Sequence, residues 1–164
     1  MKNSLFSPPR ASFILMMLSS FIVLLPSLTF QVMFAQGDHG RDLYAFAMTA
    51  KGALPYRDYL WVYGPLMPYY YAFFLKYVGS SILSVLLGET LLKFACGLTF
   101  YFIIRQLTAP WWSYLCAIFF LSTYSFFFHT YTYTGGILLL LLILFTLVKY
   151  IHKPEARLLT MGTL

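Results

Sequence analysis

The chain has 164 residues, 60% of them hydrophobic and 10% charged, with a mean hydropathy of +0.75. Soluble domains carry charge on about a quarter of their residues, so this composition excludes a water-soluble globule and points to a membrane protein. Eleven Lys and Arg against five Asp and Glu give a net charge of +6, but the basic residues stand singly, without the clustered stripe that nucleic-acid binding needs.

Crossing ~30 Å of hydrocarbon takes about 20 apolar residues in a helix. Four segments meet or approach that length. The first, 12–34, follows the basic stretch MKNSLFSPPR, which also suits a signal peptide. Its apolar run exceeds the usual 7 to 15 residues and the MFA before Gln36 is a poor cleavage site, so an uncleaved helix is expected.

Residues 36–79 come next, as a long loop holding Asp38, Asp42 and Asp58 against Arg41, Lys51 and Arg57. Within it, Leu43, Phe46, Ala47 and Ala50 recur at helical spacing and predict a short amphipathic helix lying at the membrane surface. Gly52 is its natural C-terminal stop, and Leu54 before Pro55 is pushed to extended backbone. Residues 65–78 are apolar but too short to cross, and suit an interfacial or re-entrant piece.

The remaining crossings are expected at 80–104, 110–128 and 134–151. With 65–78 not crossing, Lys2, Arg10, Arg105, Lys149, Lys153 and Arg157 all fall on one face, as the positive-inside rule requires. The expected architecture is an all-α, multi-pass transmembrane helical bundle with the N-terminus cytoplasmic. Glu89 and Lys93, four apart in the second crossing, are in the favoured order for an intrahelical pair and are expected to face the bundle. Cys96 and Cys116 both lie in apolar runs, where a thiol behaves as a small hydrophobe, and no His/Cys cluster has metal spacing. The final EARLLTMGTL starts an apolar run and ends within it, so the chain reads as the N-terminal part of a larger protein, inactive on its own.

The stretch GDHGRDLYAFAMTAKGALPYRDYLWVYGPL resembles the first outer loop of the GT-C membrane glycosyltransferases, the superfamily of protein mannosyltransferases, aminoarabinose transferases and RgtA-like sugar transferases. Asp38 and Gly40 match an acidic motif after the first helix, Gly52, Pro55, Tyr56 and Asp58 match G-x-x-P-Y-x-D, and Pro65 and Leu66 match a later P-L. His39 stands where the family commonly has Glu, so neither a second carboxylate nor metal binding is carried over. The resemblance implies transfer of a sugar from a polyprenyl-phosphate carrier to an acceptor at the outer membrane face, with membrane lipids and the lipid-linked donor as partners and a bacterial inner membrane as the location.

Such a transfer needs a base for the acceptor proton, positive charge for the departing phosphate and a surface for the sugar. Asp38 is the candidate base, with N-capping of the amphipathic helix as the alternative. Arg57 is the candidate phosphate ligand, with a local pair to Asp58 or a headgroup contact as alternatives. Tyr56 beside it is the candidate stacking ring, and Asp58 and His39 complete the substrate-binding set. Tyr59, Trp61, Tyr63, Tyr131 and Tyr133 read as an interfacial belt, Arg41 and Lys51 as solvated flanks, and His129 as a weak further base. A transporter or a non-enzymatic membrane protein is the competing class; a transporter predicts paired polar or broken segments at mid-bilayer, and here only Gly88, Glu89 and Lys93 qualify.

Overall fold

The computed structural model describes residues 9–29, 37–127 and 131–152. Every regular element among them is a helix: α1 (Pro9–Thr29), α2 (Asp38–Ala50), α3 (Leu66–Tyr77), α4 (Ile82–Leu107), α5 (Pro110–Phe127) and α6 (Tyr131–His152). The long apolar runs of the sequence thus become α1, α4, α5 and α6, and the loop between the first two carries α2 and α3. The expected end of the first crossing at 30–34, Lys2, Lys153, Arg157, the terminal apolar run and His129 lie outside the described residues.

Three helices are long and apolar enough to cross a membrane, over Arg10–Leu28, Ile82–Leu107 and Tyr131–Ile151. The fourth expected crossing, α5, has 18 residues but is not among them. Trp111, Trp112, Ser113 and Tyr114 at one end, and Ser122, Thr123, Tyr124 and Ser125 towards the other, dilute its apolar middle. At twelve residues α3 is about 18 Å long, well short of the hydrocarbon thickness. Leu18, Phe21 and Ile22 on α1 and Leu140, Ile143 and Ile151 on α6 are exposed, an outer surface far more apolar than water tolerates.

α4 occupies the centre, packed against α1, α3, α5 and α6. One core joins Met16 and Leu24 of α1 to Tyr101 of α4 and Ala117 and Leu121 of α5. Hydroxyls fasten the same interface: Ser12 meets the Tyr101 hydroxyl at 2.9 Å, Ser19 the Tyr114 hydroxyl at 3.0 Å, and Ser27 meets Ser125 at 2.9 Å. Between apolar helices these bonds and close packing supply the attraction that water would otherwise drive. A second core gathers Phe46 of α2, Trp61, Met67 and Tyr71 around α3, Val85 of α4 and Tyr131 of α6. α3 approaches α6 closely at Gly135, where a Cβ would lie 2.2 Å from Met67 Sδ, so any larger residue there requires the Met67 side chain to shift.

The C-terminus of α2 follows the expected stop. Gly52 has φ +98°, its N–H donates to Thr49 O at 2.9 Å, and Ala53 N–H donates to Met48 O at 3.0 Å. That double closure is a Schellman motif, and its left-handed residue favours glycine. The buried stripe of α2, however, is not the one its apolar residues suggest. Asp42, Ala45, Phe46 and Thr49 are buried, a face turned by one residue from Leu43, Phe46, Ala47 and Ala50. Two polar residues can lie inside because each has a partner: Arg41 for Asp42, and for Thr49 both Ala45 O at 2.9 Å and the Tyr59 hydroxyl at 2.6 Å.

Candidate functional site

Polar chemistry concentrates where the N-terminal turn of α2 meets the first turn of α6. Arg41 is its hub. Its Nη1 lies 3.1 Å from Asp38 Oδ1, its Nη2 lies 3.1 Å from Asp42 Oδ1 and donates to the Tyr63 hydroxyl at 3.3 Å, and its guanidinium sits 5.1 Å from the centre of the Tyr63 ring. Tyr63 in turn meets Tyr133 of α6 edge to face at 5.7 Å, their hydroxyls 3.5 Å apart. One cation therefore spans two carboxylates and leads to a pair of phenol rings.

The two carboxylates differ in access. Asp38 is 71% exposed at the side chain, whereas Asp42 is fully buried. Asp42 Oδ2 has no hydrogen-bond partner among the described residues, and neither do the buried His39 Nδ1 and Thr132 Oγ1. Burial holds the Asp42 carboxyl above its ordinary range, with the Arg41 guanidinium pulling the other way. A buried acceptor left unpaired carries a desolvation cost, so this corner is not built for packing alone.

His39 meets Tyr131 edge to face at 5.6 Å, which places it on the aromatic wall of the same corner. Asp38 does not cap α2. The N-cap is Gly37 and no side-chain cap bond is made, so Asp38 is the first helical residue, an acid set at the positive end of the helix dipole.

Arg57, Asp58 and Tyr56 lie elsewhere. They form the turn after α2, which is tied back to the C-terminal end of that helix by Thr49 and Tyr59. Thr49 is 11 residues beyond Asp38, about 16 Å along the helix, so the two candidate groups occupy opposite ends of α2 rather than one pocket. Arg57 donates from Nε to Asp58 Oδ1 at 2.8 Å and from Nη2 to Oδ2 at 2.9 Å, which engages its fork. Asp58 Oδ2 also accepts from Leu54 N–H at 2.8 Å. Arg57 first, and then that backbone bond, hold the Asp58 carboxyl at about 2. Tyr56 adopts φ +69° and its hydroxyl donates to Tyr63 O. The G-x-x-P-Y-x-D stretch is thus a locally bonded turn that sends the chain from α2 back towards Tyr63.

A second polar group is buried within α4. Glu89 and Lys93 are paired at 3.6 Å with both side chains almost wholly buried, as their spacing predicts. Tyr71 of α3 donates to Glu89 Oε2, Thr134 of α6 donates to Glu89 Oε1 at 2.8 Å, and Tyr124 of α5 donates to Thr134 at 3.0 Å. Four helices meet there. Tyr71 also stacks on Phe46 at 4.4 Å, which joins this layer to α2.

Sequence reasoning ranked Arg41 below Arg57 and gave Asp42, Tyr63 and Tyr133 no site role. The signal for Asp42 was present: it lies one helical turn after Asp38, beside an arginine. The partnership of Tyr63 with Tyr133 joins residues 70 positions apart and has no local signature. Among the described residues no group of three or more His, Cys, Asp or Glu is placed to hold a metal ion. Cys96 is buried and Cys116 exposed, both as free thiols.

Fold and composition define an all-helical membrane protein with three helices fit to cross a bilayer. No family model matches the chain, and no curated protein or solved structure does.

Proposed function

We propose that the chain belongs to a GT-C-like glycosyltransferase that moves a sugar from a polyprenyl-phosphate carrier to an acceptor hydroxyl at the outer face of a bacterial inner membrane. The observation that carries this reading is Arg41 held between an open carboxylate, Asp38, and a buried one, Asp42, beside the Tyr63–Tyr133 pair. It is an acid, a cation and an aromatic surface within one corner, the three parts that lipid-linked sugar transfer asks for.

In this mechanism Asp38, which solvent reaches, takes the acceptor proton while the acceptor oxygen bonds to the anomeric carbon. The bond from that carbon to the phosphate oxygen breaks, and the phosphate leaves with the electron pair. As Asp38 is neutralised by that proton, its hold on Arg41 Nη1 weakens and the guanidinium turns to the developing charge on the phosphate. Asp42 is a positioning residue: it fixes the guanidinium from the buried side. Tyr63 and Tyr133 offer the sugar a ring face, with Tyr133 half exposed. His39 lines the same corner. Arg57, Asp58 and Tyr56 serve by shaping the turn that brings Tyr63 back to Arg41, a different task from direct phosphate binding. α5 packs along α1 and α4.

Transfer from a radiolabelled polyprenyl-phosphate sugar, catalysed by membranes containing the protein, tests the reading. Asp38→Asn is expected to lower turnover by about 100-fold or more, the scale of losing a general base. Full turnover in that variant sinks the assignment. The buried Glu89–Lys93 pair in a candidate crossing supports a second reading, a transporter with a charged site inside the bilayer. Solute uptake lost in Glu89→Gln, together with absent sugar transfer in the unaltered protein, would select it.

A further inference from the structure

At the other end of α2 from Asp38, its last turn and α3 enclose an open cavity of about 340 Å³. Lys51 reaches it from the end of α2, and Tyr69, Phe73, Lys76 and Tyr77 from α3. No carboxylate lines it. Neither Lys51 nor Lys76 has an ion-pair partner among the described residues, although the turn just after α2 pairs its own arginine with an aspartate. Two uncompensated cations on one small cavity repel each other and attract an anion, an effect strongest beside low-dielectric walls.

The walls have a second character. Tyr69, Phe73 and Tyr77 step by four residues along one face of α3 and remain 47%, 55% and 68% exposed. Phe73 and Tyr77 lie 5.1 Å apart, and Lys76 Nζ sits 5.6 Å from the Tyr77 ring centre. α3 packs on α4, whose Leu83, Leu87 and Leu91 repeat the same step and are also exposed. An aromatic stripe beside cations suits a ligand with an anionic head and an apolar chain. A free anion leaves the rings unused, and a neutral lipid leaves the lysines unused.

We propose that this cavity binds a phosphate-headed lipid, with Lys51 and Lys76 on the phosphate and the chain along Tyr69, Phe73 and Tyr77. The site is separate from the Asp38–Arg41 corner and does not depend on the transfer reaction. The lipid ties α2 to α3 through its head and both to the bilayer through its chain, which holds the α2 helix at the membrane surface.

Native mass spectrometry of the detergent-purified chain, titrated with dioctanoyl phosphatidic acid, tests the proposal. Dioctanoyl phosphatidylcholine and inorganic phosphate serve as arms that keep only the chain or only the charge. Phosphatidic acid is expected to bind at least tenfold more tightly than either. Removing the lysines costs about fivefold each, so Lys51→Ala with Lys76→Ala together lowers its affinity roughly 25-fold. Phe73→Ala, at an exposed ring, lowers affinity for the lipid and leaves that for inorganic phosphate unchanged. Lys149→Ala, an exposed lysine on α6, leaves both unchanged. Helical circular dichroism of each variant matches the parent, since all four side chains are exposed. Equal binding of phosphatidic acid by the double-lysine variant, equal affinity for either control ligand, or a loss in Lys149→Ala as large as that in the double variant overturns the proposal.

Discussion

Removing Lys93 while keeping Glu89 tests how far the buried polar layer holds α3, α4 and α6 together. The pair is 3.6 Å apart with the two side chains 3% and 5% exposed. At an effective dielectric constant near 20, Coulomb attraction at that distance is about 4–5 kcal/mol. Lys93→Met keeps the side-chain volume and removes that attraction, leaving Glu89 with the Tyr71 and Thr134 hydroxyls as donors. The expected loss is about 3–5 kcal/mol, the range for stranding one member of a buried pair. Glu89→Ala is expected to cost more, because it strands Lys93 and deprives two hydroxyls of their acceptor. Removing both charges, as Glu89→Gln with Lys93→Met, recovers most of the loss, since neither residue then carries an unpaired charge. The assay is reversible unfolding from mild detergent into sodium dodecyl sulfate, followed by far-UV circular dichroism. Unchanged stability in Lys93→Met, or a double variant as unstable as the single, refutes the view that the pair is electrostatically coupled.

Further outcomes follow from the loop between α1 and α4. Tyr59→Phe removes the 2.6 Å bond to buried Thr49 and is expected to destabilise the chain by about 1 kcal/mol in the same unfolding assay. Gly52→Ala forces a side chain onto φ +98° and is expected to cost about 1–2 kcal/mol, whereas Gly64→Ala, with open space at its Cβ, costs less. The two perturbed carboxyls act in opposite senses with pH. Asp58 is lowered to about 2, so its stabilising contribution is full above the unfolded carboxylate value near 3.9 and is lost as pH falls towards 2. Asp42 is raised, so protonation favours the fold and its contribution fades as pH climbs from the unfolded value through the raised one. Stability profiles of Asp58→Asn and Asp42→Asn against pH should each lose the corresponding limb; a profile in Asp42→Asn that keeps the falling limb contradicts its assignment.

Long apolar runs made the helices legible, because about 20 residues without charge have little choice in a bilayer and the ends are marked by Pro, Gly and Ser. The Gly52 stop and the Glu89–Lys93 pair were legible for the same reason, since each is decided within one or two turns. What was not legible depended on contacts far apart in sequence. In a 13-residue helix with small and large apolar residues on several sides, the face that turns inward is chosen by Phe46 meeting Tyr71, Trp61 and Tyr131. Once Phe46 is fixed, Asp42 and Thr49 follow it inside. A guanidinium fork suits a phosphate as well as a neighbouring carboxylate, so the sequence leaves both partners open for Arg57; in the structure the fork meets Asp58, which is itself tied to Leu54 N–H. The crossing expected over 110–128 has Pro110–Phe127 among the described residues, a helix with Trp, Tyr, Ser and Thr towards both ends of an apolar middle.

The most direct test compares the two arginines in the transfer assay. If Arg41, between Asp38 and Asp42, receives the departing phosphate, Arg41→Ala lowers turnover by about two orders of magnitude, the scale of losing a preorganised donor, while Arg57→Ala stays within about threefold of the parent. Loss of turnover in Arg57→Ala with full activity in Arg41→Ala contradicts the account.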